Sequence, residues 1–236
     1  MVSLESIVNR QIRNWELQKE QRVKEGVKAE GPKPVITISR QQGSRGSYFA
    51  KKIAERFGFE LFHRELIDFI CEDSGARRRV IESMDEKHKP DLELWLEGIL
   101  KGKIVDTSDY AQWLAKAIYS IASHGNAVII GRGANYILKM STGLHIRVVA
   151  SHSKRISNLI EYKGMTVKEA EKNIEESDKA RAEFVYKNFG YDITDPTHYD
   201  LVMNSEYFDI ETALEIVEKA LWSKMHLIGQ KDGDKS

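Results

Sequence analysis

Apolar and polar residues recur along the chain with two different spacings, and each spacing predicts one kind of secondary structure. Short β-branched runs without charge, of which residues 35–39 (VITIS) are the clearest, are typical of strands buried on both faces. Stretches with an apolar residue at every third or fourth position are typical of helices that pack on a core. We predict strands at residues 35–39, 59–62, 127–130, 144–150 and 201–204, and helices at residues 48–57, 65–73, 110–123, 151–162, 166–187 and 210–222.

The alternation of strands and helices predicts a fold of the α/β class. A strand, a crossover helix and a second parallel strand form a right-handed unit, and repeated units give a parallel sheet with helices on both faces. In such three-layer folds, ligands bind beyond the carboxyl ends of the strands. The residues that directly follow the strands are therefore the candidates for chemistry.

Segments outside this alternation define the domain organisation. Residues 1–30 are predicted to form an N-terminal helix, in which Leu4, Val8, Ile12 and Trp15 share one face. That face indicates either packing on the chain's own core or a homodimer formed through this helix. The main domain is predicted at residues 31–225, with a mostly helical insertion at about residues 76–106 and two charged helices at about residues 151–190. Residues 226–236 are expected to be a disordered tail.

The composition of the chain argues against some classes of binding partner. The chain has 36 basic and 36 acidic residues and a formal net charge of zero, so no global field favours nucleic acid or an anionic membrane. No run of eighteen apolar residues or signal-peptide pattern is present, and we expect a cytoplasmic protein without a membrane partner. Cys71 lies in an apolar stretch and is expected to be a buried structural thiol.

A glycine-rich segment, residues 39–47 (SRQQGSRGS), joins the first strand to its helix. Backbone N–H groups and the helix dipole converge on an anion at such a junction. The P-loop pattern G-x-x-x-x-G-K-[ST] places its lysine on the phosphates and its hydroxyl on Mg²⁺. If Ser47 takes the hydroxyl position, Gly46 takes that of the lysine and Arg45 that of the preceding glycine. Taken alone, the segment also fits an ordinary strand-to-helix turn.

Three segments in this order resemble the cytidylate kinase-like family: ITISRQQGS at residues 36–44, FHRELI at residues 62–67 and VIIGRGANYIL at residues 128–138. The resemblance extends over about residues 35–221. It implies a P-loop kinase-type fold in which residues 76–106 are an acceptor-binding insertion and residues 151–190 are a lid. It also implies that the protein uses ATP, or another nucleoside triphosphate, together with Mg²⁺.

The resemblance and the placement after the strands assign roles to individual residues. The nucleotide-binding candidates are Arg40, Gln42, Gly43, Ser44, Arg45, Gly46 and Ser47, with the Ser47 hydroxyl also on Mg²⁺. The substrate-binding candidates are His63, Arg64, Arg132, Asp178 and Arg181. The candidates for catalysis are Arg45, Arg132, Arg155 and Arg181, because guanidinium groups stabilise the charge on a transferring phosphoryl group.

Two residues depart from the expected pattern. Gly46 stands where the P-loop has a lysine, and we expect Arg40 or Arg45 to supply the missing charge because a guanidinium grips two phosphate oxygens at once. His63 stands where many members of the family have an aspartate, and a neutral imidazole cannot replace a carboxylate that accepts hydrogen bonds. The second departure leaves the acceptor open.

The leading hypothesis is therefore a phosphotransferase that moves the γ-phosphoryl group of ATP to a nucleoside monophosphate such as CMP. A nucleotide sensor with a degenerate P-loop and little or no kinase activity is one alternative. A P-loop kinase for a different small acceptor is the other. In each case the partners are small molecules.

Overall fold

A five-stranded parallel sheet is the centre of the molecule in the computed structural model, which describes residues 3–25, 34–84, 89–100, 109–138 and 140–233. The strands are β1 (Val35–Arg40), β2 (Glu60–Phe62), β3 (Ala127–Ile130), β4 (Gly143–Val149) and β5 (Leu201–Asn204). The helices are α1 (Leu4–Glu25), α2 (Gly46–Phe57), α3 (Arg64–Glu72), α4 (Ser74–Glu82), α5 (Lys89–Leu100), α6 (Asp109–His124), α7 (Ala134–Ile137), α8 (His152–Lys163), α9 (Val167–Phe189) and α10 (Ile210–Gly233), with a short 3₁₀ helix at Pro196–His198.

The order of strands across the sheet is β2-β3-β1-β4-β5, and every neighbouring pair is parallel. In the register of the central strands, Val35 lies opposite Ala127 on one side and Gly143 on the other. All five carboxyl ends consequently lie at one edge of the sheet. The predicted parallel α/β sheet is confirmed, and the first strand of the chain occupies its centre.

Helices cover both faces of this sheet, and side chains of β3 alternate between the two cores. Ile129 is fully buried among residues of α3 and α6 such as Ile67 and Ile118. Its neighbour Val128 points to the opposite side, where it packs in the cluster that contains Val217 of α10. Because β1 and β3 are buried on both faces, they read as continuous apolar runs in the sequence, whereas the edge strands β2 and β5 are partly exposed.

Helix α1 packs on the core of its own chain. Val8, Ile12 and Trp15 are buried, and the Trp15 ring stacks on His124 at a centroid distance of 3.9 Å. Trp15 also contacts Phe62 at the end of β2, with 6.2 Å between the ring centroids. The apolar face that was considered for a homodimer is thus covered within the protomer, and a dimer through α1 would have to use its other face.

The insertion and the lid are helical. Within residues 76–106 the described parts are α4, a turn at residues 83–84 and α5, and residues 85–88 and 101–106 lie outside the described residues. Helices α8 and α9 pack against each other through Leu159, Ala170 and Ile174. Thr166 and Glu169 form a capping box at the start of α9, which explains the break between the two helices.

The last helix is longer than the helix predicted at residues 210–222. Helix α10 continues to Gly233, and residues 234–236 of the expected disordered tail lie outside the described residues. Contacts beyond residue 222 extend it: Met225 packs on the core, and Lys224 Nζ lies 2.5 Å from Asp200 Oδ2. These contacts join distant parts of the chain, so a local polar composition did not reveal them.

In the described residues, no helix is long and apolar enough to cross a membrane.

Candidate active site

The glycine-rich loop follows β1 at the carboxyl edge of the sheet and leads into α2. Gly43 and Arg45 have left-handed backbones, with φ angles of 79° and 60°. A Cβ atom at Gly43 would lie 2.6 Å from the carbonyl oxygen of Arg155, so only glycine allows the loop to approach α8 this closely. The loop is therefore folded against the lid.

The first turn of α2 presents N–H groups that lack acceptors within the helix. Arg45 is the N-cap residue and its side chain makes no capping hydrogen bond. The first turn consists of Gly46, Ser47 and Tyr48, whose amides carry the positive end of the helix dipole. A backbone of this kind binds a phosphate group.

A cavity of about 410 Å³, here called the loop cavity, opens in front of these amides. It is lined by the loop on one side and by Asn158, Leu159, Tyr162 and Lys163 of α8 on the other. Ser47 is exposed and lines it, whereas Ser44 is fully buried and donates its hydroxyl to Gln41 O at 2.9 Å. Ser47 therefore faces the ligand space, and Ser44 supports the loop from behind.

A second cavity of about 450 Å³, the strand-end cavity, lies beside the first. The charged residues in its lining are Arg40, Arg64, Arg132, Glu176 and Arg181. Arg40 and Arg181 line both cavities. The two spaces therefore meet at a pair of guanidinium groups.

Arg132 is held in position by its backbone and by an acidic partner. Its φ angle is 51°, and Gly131 and Gly133 on either side also have positive φ angles. Its guanidinium pairs with the carboxylate of Asp68 on α3 and stacks over the ring of Phe184 at 4.9 Å. The predicted glycine–arginine–glycine turn is thus an ordered structure that points Arg132 into the strand-end cavity.

Asp68 was not identified from the sequence. One of its carboxylate oxygens accepts from Tyr110 Oη at 3.1 Å, and the other lies 3.6 Å from Arg64 Nε. Asp68 therefore contacts Arg64 and Arg132, two of the three arginines that were predicted to bind the substrate. Its sequence signal was its spacing, since Arg64 and Asp68 are four positions apart on one helix and face the same side.

The lid contacts the loop through a network of charged hydrogen bonds. Asp178 of α9 accepts from the backbone N–H of Gln42 at 2.7 Å and pairs with the guanidinium of Arg155. Arg181 donates to Arg40 O at 3.1 Å and to Gln42 Oε1 at 2.7 Å. Gln42, Arg155, Asp178 and Arg181, predicted separately, are thus brought into direct contact.

His63 has a local role in the structure. It is the N-cap of α3, where its Nδ1 accepts from the backbone N–H of Leu66 at 3.3 Å, and it lies 3.1 Å from Glu65 Oε2. It is not in the lining of either cavity, as far as the described residues define them. Its neighbour Arg64 does line the strand-end cavity and is more than half exposed.

Burial and nearby positive charges lower the pKa values of Arg40 and Arg181. Desolvation, followed by the nearby charge of Arg181, lowers the pKa of Arg40 to about 10. The pKa of Arg181 is also lowered, primarily by burial. Both groups remain protonated at neutral pH, and a bound anion would relieve their mutual repulsion. The charge distribution thus favours an anionic ligand between the two cavities.

Arg147 of β4 was also missed. Its side chain is buried beneath the site, and it donates to Ser39 Oγ at 2.9 Å. A single charged residue inside an otherwise apolar buried strand is unusual, because burying a charge is costly unless it has partners. That feature of residues 144–150 would have pointed to Arg147.

The residues around Ser47 fit a magnesium ion that arrives with a nucleotide. Among the described residues, no group of three His, Cys, Asp or Glu side chains is placed to hold a metal ion. Mg²⁺ commonly uses one or two protein ligands, several waters and the phosphates of the substrate. The Ser47 hydroxyl at the edge of the loop cavity is suited to such a shared site.

Comparison with known proteins identifies the family. A model of the cytidylate kinase-like family matches residues 35–207, which is well over half of the chain. The chain belongs to the cytidylate kinase-like family. Among curated relatives, the family member from Pyrococcus horikoshii named cytidylate kinase is 27% identical over 190 residues, covering 80% of this chain and 88% of the relative.

Other comparisons agree with this family. A cytidylate kinase from Archaeoglobus fulgidus is 25% identical over 198 residues and is matched over 99% of its length and 83% of this chain. A crystal structure of an uncharacterized protein from Eubacterium ventriosum shares the fold, with a TM-score of 0.53 and 22% identity over 79% of this chain and 97% of the other. Family membership supports a phosphotransferase that acts on nucleotides.

Proposed function

We propose that this member of the cytidylate kinase-like family transfers the γ-phosphoryl group of ATP to a nucleoside monophosphate such as CMP. The observation that carries this proposal is the pair of adjoining cavities, about 410 and 450 Å³ in volume, that share Arg40 and Arg181. Phosphoryl transfer requires a donor and an acceptor in line, with cations between them. Two adjoining spaces with guanidinium groups at their junction provide this arrangement.

The loop cavity is the donor site in this proposal. The first-turn amides of α2 receive the phosphates of ATP, and Ser47 together with those phosphates holds Mg²⁺. The metal ion, when bound, neutralises charge on the phosphate oxygens. Ser44 supports the loop from behind and Arg45 lies at its rim.

The strand-end cavity is the acceptor site. Arg132 and Arg64 bind the phosphate of the monophosphate, and Asp68 fixes the direction of both guanidinium groups. Phe184 and Tyr136 also line this cavity and offer aromatic surface to a base. The printed name of the archaeal relatives supports CMP as the first acceptor to examine.

The lid supplies the remaining charges. Arg155 and Arg181 lie over the loop, where Asp178 and Gln42 hold them. Arg181, which lines both cavities, stabilises the charge on the transferring phosphoryl group, and Asp178 orients it. Arg155 was also predicted for catalysis, but it is buried against Asp178 and is not in the lining of either cavity, so it acts by holding the lid on the loop. Lid closure also excludes water from the transferring group.

Two observations favour the alternative functions, a nucleotide sensor and a kinase for a different acceptor, and the experiment must distinguish them from the proposed kinase. Gly46 in place of the lysine favours a nucleotide sensor without efficient turnover, and the capping role of His63 leaves room for a different acceptor. Turnover of CMP supports the kinase, binding without turnover supports the sensor, and turnover of another small molecule supports the second alternative.

The experiment is an assay of ATP consumption, with Mg²⁺, against a panel of nucleoside monophosphates. Binding is measured in parallel by calorimetry. Arg132→Ala is expected to lower kcat/KM for the acceptor by about 100-fold, because it removes a charged contact to the acceptor phosphate. Arg56→Ala is the matched control, since Arg56 is an exposed arginine of α2 that pairs with Glu211 and Glu218 and is not in the lining of either cavity. The absence of both saturable nucleotide binding and turnover in the wild type would refute the proposal.

A further inference from the structure

The place of the P-loop lysine is filled by another side chain. Gly46 is the first residue of α2 and is buried. A Cβ atom at Gly46 would lie 2.5 Å from Arg40 Cβ and 3.1 Å from Arg40 Cγ. A side chain at position 46 and the arginine at position 40 therefore exclude each other.

The Arg40 side chain extends from this point to the junction of the two cavities. Its far end reaches the turn after β3, where a Cβ atom at Gly131 would lie 2.5 Å from Arg40 Nη1. Gly46 and Gly131 are thus the glycines that make room for the base and for the tip of the same side chain. Along its length Arg40 lines both the loop cavity and the strand-end cavity.

Arg40 lacks the partners that a partly buried cation normally has. Its Nε is buried and has no hydrogen-bond partner, and no carboxylate of the described residues lies within ion-pair distance of it. Next to desolvation, Arg181 acts most strongly among the more distant charges and lowers the pKa of Arg40, Glu65 raises it, and Arg64 and Arg132 lower it. A cation that is partly removed from water and lies mainly among other cations is costly, and a bound anion reduces that cost.

Arg45 is engaged elsewhere. Its guanidinium lies between two tyrosine rings, 4.7 Å from the centroid of Tyr48 and 4.5 Å from that of Tyr162. Tyr162 belongs to α8, so Arg45 connects the loop to the lid at the exposed rim of the loop cavity. Arg45 does not line the strand-end cavity and is not placed between donor and acceptor.

We propose that Arg40 replaces the P-loop lysine and binds the phosphoryl group that passes between the two cavities. The Arg40 guanidinium reaches the phosphates from the end of β1, whereas the lysine of the usual P-loop comes from the first turn of α2. Because the Arg40 side chain takes this path, position 46 has no room for a side chain and is a glycine. A planar guanidinium also grips two oxygens, whereas an ammonium group acts as a point charge. This assignment rests on the proposed phosphotransferase function.

The decisive experiment removes the cation at position 40 and introduces one at position 46. Arg40→Gln is expected to lower kcat by about 100- to 1,000-fold, while the KM of the acceptor changes far less, because the lost contact is strongest in the transition state. Arg45→Gln, the matched control on the same loop, is expected to lower kcat by less than about tenfold. Gly46→Lys alone is expected to be inactive, since its side chain collides with Arg40.

The double variant Arg40→Gly/Gly46→Lys places a lysine at the usual P-loop position, and the removal of the Arg40 side chain makes room for it. It is expected to recover at least about tenfold in kcat over Arg40→Gly. Arg40→Gln activity within about threefold of the wild type, or an equal loss in Arg45→Gln, would overturn the proposal. Recovery in the double variant supports it, and thermal unfolding shows whether each variant is folded.

Binding separates this proposal from the function on which it rests. Wild-type protein is expected to bind ATP more tightly than AMP, and Arg40→Gln is expected to lose most of that preference even if the wild type shows no turnover. A preference unchanged in Arg40→Gln refutes the role of Arg40 while leaving the kinase proposal standing. If the wild type binds neither nucleotide, the proposed function and the role of Arg40 fail together.

Discussion

Asp68 on α3 pairs with the guanidinium of Arg132, which follows β3, and so connects two neighbouring strand ends beside the strand-end cavity. Asp68→Asn keeps the shape of the side chain and removes its charge. We expect kcat/KM for the acceptor to fall by about 10- to 100-fold because Arg132 loses its fixed direction. The free energy of unfolding should fall by about 1–3 kcal/mol.

Steady-state kinetics and urea denaturation measure these two effects. Glu211→Gln is the control, because Glu211 is exposed on α10 and pairs with Arg56 of α2. Similar kinetics in Asp68→Asn and Glu211→Gln would show that Asp68 does not orient the acceptor-binding arginine.

Asp178 fastens the lid to the loop through the backbone N–H of Gln42, at 2.7 Å. Asp178→Ala removes this acceptor and leaves Arg155 without its carboxylate partner. Hydrogen exchange of the loop, residues 39–47, should become faster, and the free energy of unfolding should fall by about 1–3 kcal/mol. Glu183→Ala, on the same helix and exposed beside Lys179, should change it by no more than about 0.5 kcal/mol. Unchanged loop protection in Asp178→Ala would contradict the contact.

Gly133 and Gly164 have nearly the same backbone φ angle, 63° and 65°, but their surroundings differ. A Cβ atom at Gly133 would overlap the ring of Phe189, whereas one at Gly164 would have no neighbour within 4 Å. Gly164→Ala should cost about 1–2 kcal/mol of stability from backbone strain alone. Gly133→Ala should cost about 1–3 kcal/mol more because the ring must move. Denaturation midpoints compare the two, and equal costs would show that the Phe189 contact is unimportant.

Cys71 is 3% exposed, and burial raises the pKa of its thiol to about 12. The negative charge of Asp68 raises it further, although desolvation is the larger cause. Because the thiolate is the reactive form, labelling of the native protein at pH 8 should be about 1,000-fold slower than that of the unfolded chain. A colour-forming disulfide reagent with and without denaturant measures the ratio. Comparable rates in both states would mean that the thiol is accessible.

Local pattern was sufficient for the order of the five strands and of the long helices between them, although the short helix α7 was not predicted. The strand at residues 127–130 and the final strand at residues 201–204 were predicted with the bounds that the structure has. Both runs are mainly apolar and depend only on neighbouring residues, and the rule that ligands bind at the carboxyl ends then predicted where the candidate site lies. The glycine-rich loop and Arg132 followed from the same rule.

The sequence by itself determined the class of fold, the position of the glycine-rich loop and the family, because strand and helix periods and the three matching segments are local features. Only the tertiary structure decided that Arg40, and not Arg45, reaches the junction of the cavities, and that Asp68 holds Arg132. Side-chain direction and contacts between distant residues depend on how the strands and helices pack. No spacing along one chain shows that Gly46 and Gly131 leave room for the same arginine.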